Sequence, residues 1–169
     1  MTPGSGQVGR LATGGYLPLG YYGDPGKTAA TFVELDGRRY VIAGDWAEVD
    51  ADGTIRLLGR GSSCINTAGE KVYPEEVEEV LKQVRRVRDA AVVGVPDERF
   101  GQRVVAIVEI EPGDVIDEQE LIDHVRAHLA SYKAPRRVFV LPTLGRGPNG
   151  KLDHRRLREV AIERAGSPA

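Results

Sequence analysis

At 169 residues the chain is long enough for one domain and part of a second. A hydrophobic share of 41% and a charged share of 28% suit a packed globular chain, and a net charge of -2 gives no global attraction to nucleic acid or acidic membranes. The single cysteine, Cys64, excludes an internal disulfide, and no apolar run approaches the roughly 20 residues of a membrane helix, so the expectation is a cytoplasmic protein.

Taken in order, residues 1–22 are rich in Gly, Leu and Tyr without a helical period, and read as a chain entered midway. Asp24-Pro25-Gly26 predicts a turn, and residues 27–32 a short helical turn. Residues 32–35 and 39–43 flank Asp36-Gly37, a pair suited to a tight hairpin. Residues 46–49 and 54–58 flank Asp52-Gly53 and predict a second hairpin of the same type. The first third is therefore a small antiparallel β unit with too few large apolar residues for a full core. Such an incomplete unit predicts exposed apolar surface and self-association.

Residues 59–81, GRGSSCINTAGEKVYPEEVEEVL, organise the rest. Small residues lead to a polar loop, Thr67-Ala68-Gly69-Glu70-Lys71, and a helix opens at Pro74, whose missing N–H has no partner at that position anyway. Glu75 and Glu76 sit in the first turn, where the helix dipole favours negative charge. Val77, Val80, Leu81 and Val84 mark one apolar face. A polar turn before a rigid helix can join two bodies that move relative to each other; an ordinary strand–loop–helix connection has the same signature.

Beyond it, residues 90–95 and 104–110 are apolar runs that predict buried strands, with a loop over 96–101. Asp117 and Glu120 predict a capping box before a helix carrying Leu121, Ile122, Val125 and Leu129. Residues 137–141 predict a third strand, and Asp153 a cap for a last helix with Leu157, Val160 and Ala161. The fold class is α+β: the small antiparallel unit over 1–60, then a compact domain over 61–169 with a three-stranded sheet flanked by helices.

Several residues could carry chemistry. Lys151 ends Gly145-Arg146-Gly147-Pro148-Asn149-Gly150-Lys151, which has the glycine and lysine spacing of a phosphate-binding P-loop. Leu152 lacks the hydroxyl that would hold magnesium, and Pro148 removes an N–H from the cradle. Two other readings stand beside it: an exposed lysine on a glycine-rich turn, or an ammonium delivered on a mobile loop to a site built elsewhere. Asp45 could accept hydrogen bonds from two vicinal sugar hydroxyls, or be a turn aspartate. Arg60 could grip a phosphate or carboxylate, or be a surface arginine. His124 and His128 have metal-ligand spacing but no evident third ligand, so no metal site is assigned. His154, Arg155, Arg156 and Arg158 read as a solvated basic face, since no aromatics are interleaved to stack bases.

Gly20-Tyr21-Tyr22-Gly23-Asp24-Pro25 with Thr28 and Phe32, then Gly44-Asp45, then Gly59-Arg60 through Glu79, then Tyr132-Lys133-Ala134-Pro135, Leu141-Pro142 and Asn149-Gly150-Lys151 stand in a specific order. In these the chain resembles the C-terminal part of the adenylate-forming superfamily, and most closely the AMP-forming acyl-CoA synthetases. Ala43 departs from it, standing where Ser or Thr is usual. The resemblance implies that residues 1–60 end a large adenylation domain and 61–169 form its small lid domain. It implies that Asp45 holds the ribose of ATP or the acyl-adenylate, and that Arg60 lies near the nucleotide. Ser62 would be the hinge, where Asp or Lys is usual. Thr67, Ala68, Gly69, Glu70, Lys71 and Tyr73 would line the path of the pantetheine thiol, with Ala68 in a place often held by glycine. Lys151 would stabilise adenylation, in which a carboxylate attacks the α-phosphate and pyrophosphate leaves. The small domain would then swing and present the Thr67 loop so that CoA attacks the adenylate.

ATP with Mg2+ and CoA are the implied cofactors of the full-length enzyme, with a carboxylic acid, fatty or aryl, as substrate. The phosphate-gripping loop, most of the acyl pocket and the magnesium-binding acid would lie in a large N-terminal domain, the implied partner. The chain alone is therefore expected not to catalyse adenylation. Three rivals remain: a nonribosomal-peptide-type adenylation fragment serving a carrier protein, a non-catalytic binding or assembly module, and a nucleotide hydrolase built on residues 145–151. The run from Asn66 to Pro74 is more similar to the CoA ligases.

Overall fold

The computed structural model describes residues 1–166, with Ser62 described by its backbone alone. The chain divides into two units, Met1–Ser62 and Ser63–Ala169.

The first unit runs β1 (Gly9–Arg10), α1 (Pro25–Thr31), β2 (Phe32–Leu35), β3 (Arg38–Val41), β4 (Asp45–Val49) and β5 (Ile55–Arg60). Asp24 caps α1 by accepting the Lys27 N–H at 2.8 Å, with Pro25 in the first turn. β2 and β3 form a hairpin around Asp36 and Gly37, whose φ values of 52° and 69° are both positive, as a tight two-residue turn of this hand requires. β1, β4 and β5 form a separate antiparallel sheet. The loop between β4 and β5 is wider than the expected two-residue turn. Only Gly53 has positive φ there, so the chain instead closes with Asp50 N donating to Thr54 O and Gly53 N to Asp50 O. Among the described residues of this unit, Ala47 and Leu58 are the buried apolar ones, while Tyr16, Leu19 and Tyr22 are fully exposed.

After a single 3-10 turn, Gly61–Ser63, the second unit runs β6 (Ile65–Thr67), β7 (Glu70–Val72), α2 (Pro74–Lys82), β8 (Val87–Asp97), β9 (Gly101–Ile110), α3 (Glu118–His128), a 3-10 turn (Ser131–Lys133), β10 (Arg137–Leu141) and α4 (His154–Gly166). β9 is the central strand. β8 runs antiparallel along one edge; parallel β10 and then β6 share the other, with β7 beyond β6. The expected three strands are all present, but the sheet has five. The polar loop of the sequence reading is the tip of the β6–β7 hairpin, because Ile65 and Val72 on its two arms are buried in the core.

The apolar runs of β8 and β9 are continuous because both faces of the sheet are covered. On one face Val92, Val104, Ala106, Val108 and Val138 pack with Val77, Val80 and Leu81 of α2 and Leu121, Ile122 and Val125 of α3. On the other, Val93, Val105, Ile107, Phe139 and Leu141 pack with Leu157 and Ala161 of α4. Each of the larger side chains contributes roughly 1.5–3 kcal/mol by leaving water. The outer edge of β8 is blocked by side chains from two helices: Glu78 Oε1 accepts the Val92 N–H at 2.8 Å, and Arg158 Nε donates to Gly94 O at 2.8 Å.

Asp117 caps α3 as expected, accepting from Gln119 N at 3.2 Å, and Asp153 caps α4, accepting from Arg156 N at 3.0 Å. Glu120 does not complete a capping box. It pairs with Arg86, a charged partner that competes better than the local amide. Among the described residues no helix is long and apolar enough to cross a membrane.

Candidate functional site

Lys151 is exposed, on the glycine-rich loop between β10 and α4. Gly145 and Gly150 have φ of 70° and 74°, which only glycine adopts freely. The loop spends its amides on itself. Gly147 N donates to Lys151 O at 2.9 Å, Gly150 N to Gly147 O at 2.9 Å, Lys151 N to Asn149 Oδ1 at 3.1 Å and Gly145 N to Thr143 Oγ1 at 3.1 Å. A P-loop turns such groups toward phosphate; this loop does not, in line with the mismatches at Pro148 and Leu152. What it presents is the lysine.

The β6–β7 hairpin divides the six thiol-path candidates. Thr67 and Tyr73 are buried; Ala68, Gly69, Glu70 and Lys71 are exposed at or beside its tip. Burial also pushes the Tyr73 hydroxyl pKa up. Ala68 has φ 52° and Gly69 φ 86°, so alanine stands in a left-handed position that favours glycine. The hairpin is tied to the sheet by Asn66 N donating to Gln102 Oε1 at 2.9 Å and Ala68 N to Phe100 O at 3.0 Å. Beside it lies a cleft of about 60 Å3 lined by Thr67, Ala68, Phe100, Tyr132 and Arg136 among others. The Arg136 guanidinium lies 5.4 Å from the Phe100 ring centroid, a cation–π contact.

Sequence reasoning missed Phe100 and Arg136 because they reach this cleft from separate segments. It also missed an ion pair. Lys133 Nζ lies 2.6 Å from Glu76 Oε2, and Glu76 Oε1 accepts the Tyr73 N–H at 3.1 Å. Their side chains are only 19% and 8% exposed, so this pair locks the start of α2 to the turn before β10 in a poorly hydrated setting. Glu76 was legible as a first-turn acid and Lys133 as part of Tyr132-Lys133-Ala134-Pro135, but nothing in the chain order joins them.

The Thr67 hairpin and the Lys151 loop lie at opposite ends of β9. Thr67 stands opposite Gly101, while Arg146 of the Lys151 loop grips Asp89, which stands opposite Glu109. Those two β9 positions are separated by roughly 27 Å of extended strand.

In the first unit Asp45 and Arg60 face each other across β4 and β5, with Arg60 Nε 3.1 Å from Asp45 Oδ1. Both keep exposed surface, 33% and 65% of their side chains. Gly61 follows, and a Cβ there would overlap Trp46 Nε1. Ser62 is the last residue of this unit.

The His124 and His128 ring centroids lie 4.4 Å apart with the rings tilted by 41°, and His128 Nδ1 lies 2.8 Å from His124 O. Among the described residues no group of three or more His, Cys, Asp or Glu is placed to hold a metal ion. The basic face of α4 is more than solvated: Arg156 and Arg158 donate to the carbonyls of Leu144 and Gly94.

Residues 76–151 match the model of the AMP-binding enzyme C-terminal domain. The chain is 56% identical over 153 residues to 3-oxocholest-4-en-26-oate--CoA ligase of Rhodococcus rhodochrous, covering 90% of this chain and 28% of the relative. It is 52% identical over 162 residues to a medium/long-chain-fatty-acid--CoA/3-oxocholest-4-en-26-oate--CoA ligase of Mycolicibacterium smegmatis, covering 96% of this chain and 29% of the relative. Its fold is similar to o-succinylbenzoate CoA synthetase (MenE) of Bacillus subtilis in complex with an acyl-adenylate intermediate, with a TM-score of 0.79 and 29% identity over 94% of this chain and 31% of that one. The chain thus spans less than a third of the length of these relatives. Over residues 76–151 the chain is thus similar to the C-terminal domain of the AMP-binding enzymes.

Proposed function

We propose that this chain is the closing lobe and adjoining large-domain segment of an acyl-CoA ligase. That ligase activates a carboxylic acid, fatty or sterol-derived, with ATP and passes it to CoA. The names of the relatives support the substrate class. The observation that carries the reading is the placement of the Lys151 loop and the Thr67 hairpin at opposite ends of β9. Two half-reactions that present two faces to one substrate need two such loops on one rigid body.

In the first half-reaction the acid's carboxylate oxygen attacks the α-phosphorus of ATP, and the bond to pyrophosphate breaks. The Lys151 ammonium offsets the negative charge gathering on the phosphate oxygens. Asp45 suits the ribose: Arg60 occupies Oδ1, and the carboxylate keeps further acceptor capacity for hydroxyl donors. The lobe then turns about the 3-10 turn at Ser62 and brings the Ala68-Gly69 tip to the adenylate. The CoA thiol, losing its proton, attacks the acyl carbon and AMP leaves. Exposed Arg136, beside the Thr67 hairpin, offers a cation to an anionic ligand such as CoA. We assign Mg2+ to none of the described residues and expect it, with the phosphate-gripping loop, in a large N-terminal domain. Exposed Tyr16, Leu19 and Tyr22 support such a covering partner. A cytoplasmic location goes with this use of ATP and CoA.

The test separates the half-reactions in the full-length polypeptide. Lys151→Ala slows acid-dependent pyrophosphate release by roughly a hundredfold or more, the scale of losing one charge-stabilising donor. Thioester formation from supplied acyl-adenylate is retained. Ala68→Trp does the reverse. Equal loss of both steps in both variants would sink the two-face reading. The isolated chain is expected to release no pyrophosphate.

A further inference from the structure

Arg146 makes three hydrogen bonds. Its Nε and Nη2 donate to Asp89 Oδ2 and Oδ1 at 2.7 and 2.8 Å, and its Nη1 donates to Gly150 O at 2.7 Å. The first two tie the loop to β8; the third holds the carbonyl immediately before Lys151. The bonds within the loop, from Gly147 to Lys151 O and from Gly150 to Gly147 O, make its tip a closed turn. Lower in the loop, Leu144 N donates to Glu109 Oε2 at 3.0 Å and fixes the stem. Leu152 packs on the core just after the tip, and the Arg146 guanidinium is the polar tie that holds the tip itself to β8.

We propose that Arg146, anchored by Asp89, is the positioning residue for Lys151: it sets where the ammonium is presented for adenylation. This rests on the ligase reading of Lys151. The planar fork explains why arginine stands there. It engages both carboxylate oxygens and, with its remaining nitrogen, the Gly150 carbonyl in one plane; a lysine ammonium has no such fork. The electrostatics agree. Burial pushes the Asp89 carboxyl up, but the Arg146 hydrogen bonds hold it below the usual carboxylate range. The anchor therefore stays ionised wherever the protein is folded near neutral pH.

The test has two readouts. In this chain, 15N relaxation compares the Gly150 and Lys151 amides in the parent, Arg146→Ala and Asp89→Asn. Both variants are expected to lower their order parameters from rigid values of about 0.85 to below about 0.6, with β8 and β9 unchanged. In the full-length polypeptide, both variants slow acyl-adenylate formation by roughly tenfold to a hundredfold, the cost of a misplaced catalytic group. Both leave thioester formation from supplied adenylate at the parental rate, a split that general destabilisation would not produce. Gly150 and Lys151 amides that stay ordered in both variants overturn the proposal. So does adenylate formation within about twofold of the parent while Lys151→Ala slows it by roughly a hundredfold or more. Should Lys151→Ala itself leave adenylation intact, the ligase reading fails instead, and the relaxation data still decide whether Arg146 fixes the loop.

Discussion

Glu78 Oε1 accepts the backbone N–H of Val92 at 2.8 Å, across the free edge of β8, from a side chain that is almost wholly buried. Burial raises its pKa from 4.5 to about 7, against the opposing pull of the Val92 N–H. The folded state then holds the proton more tightly than the unfolded chain. Stability from this group is fully present below 4.5 and is lost as pH rises through 7. The rise corresponds to about 3 kcal/mol. Glu78→Gln keeps an acceptor for Val92 and cannot ionise. Urea unfolding at pH 5 and pH 8 should show the variant gaining on the parent by about 2.5 kcal/mol at the higher pH, since part of the loss has already occurred at pH 5. A gap that does not change with pH would refute the assignment.

Lys133 neutralises Glu76 where neither is well hydrated. Lys133→Met strands the carboxylate and should cost about 3 kcal/mol, the typical penalty for removing one partner of a buried pair. Adding Glu76→Gln to it should recover most of that loss, since Gln can still accept the Tyr73 N–H. A double-mutant cycle by chemical denaturation reads the coupling. Strict additivity of the two single changes would show that the pair is not coupled.

Ala68 holds a left-handed backbone at the tip of β6–β7. Ala68→Gly should raise stability by roughly 0.5–1 kcal/mol, because relief of the native strain exceeds the entropy that glycine adds to the unfolded chain. Ala68→Val should lower it by about 1–2 kcal/mol. Thermal unfolding midpoints check the order Gly above Ala above Val. The reverse order would mean the turn relaxes to another backbone.

Gly61 leaves no room for a side chain against Trp46, the one tryptophan of the sequence. Gly61→Ala should push the indole outward and red-shift its emission, at a cost of about 1–2 kcal/mol to the first unit. An unshifted spectrum would show that the contact is loose.

Much of the second unit was legible because its signals are local. Pro74 with Glu75 and Glu76 marks the start of α2, and the runs over β8 and β9 announce strands covered on both faces. Asp36-Gly37 was equally readable, since both positions carry the positive φ their chemistry allows. Asp52-Gly53 misled, because Asp52 does not take the positive φ that Asp36 takes and instead accepts the Thr54 N–H with its side chain. The Thr67 segment was read as a loop because each arm is only three residues long, too short to show a strand period. Its strand pairing depends on a β9 that lies more than thirty residues further on.

The sequence by itself determined the helices, the paired strands of the first unit and three strands of the second, and which residues to watch: Asp45, Arg60, the Thr67–Tyr73 stretch and Lys151. Periodicity, caps and turns are decided within a few neighbouring residues, so a linear reading reaches them. Only the tertiary structure decided that Glu120 leaves its cap for Arg86, that Glu76 meets Lys133, and that Arg146 suspends the lysine loop from Asp89. The last two pairs each join residues 57 positions apart. Their energy depends on burial and approach, and those exist only once the helices have closed over the sheet.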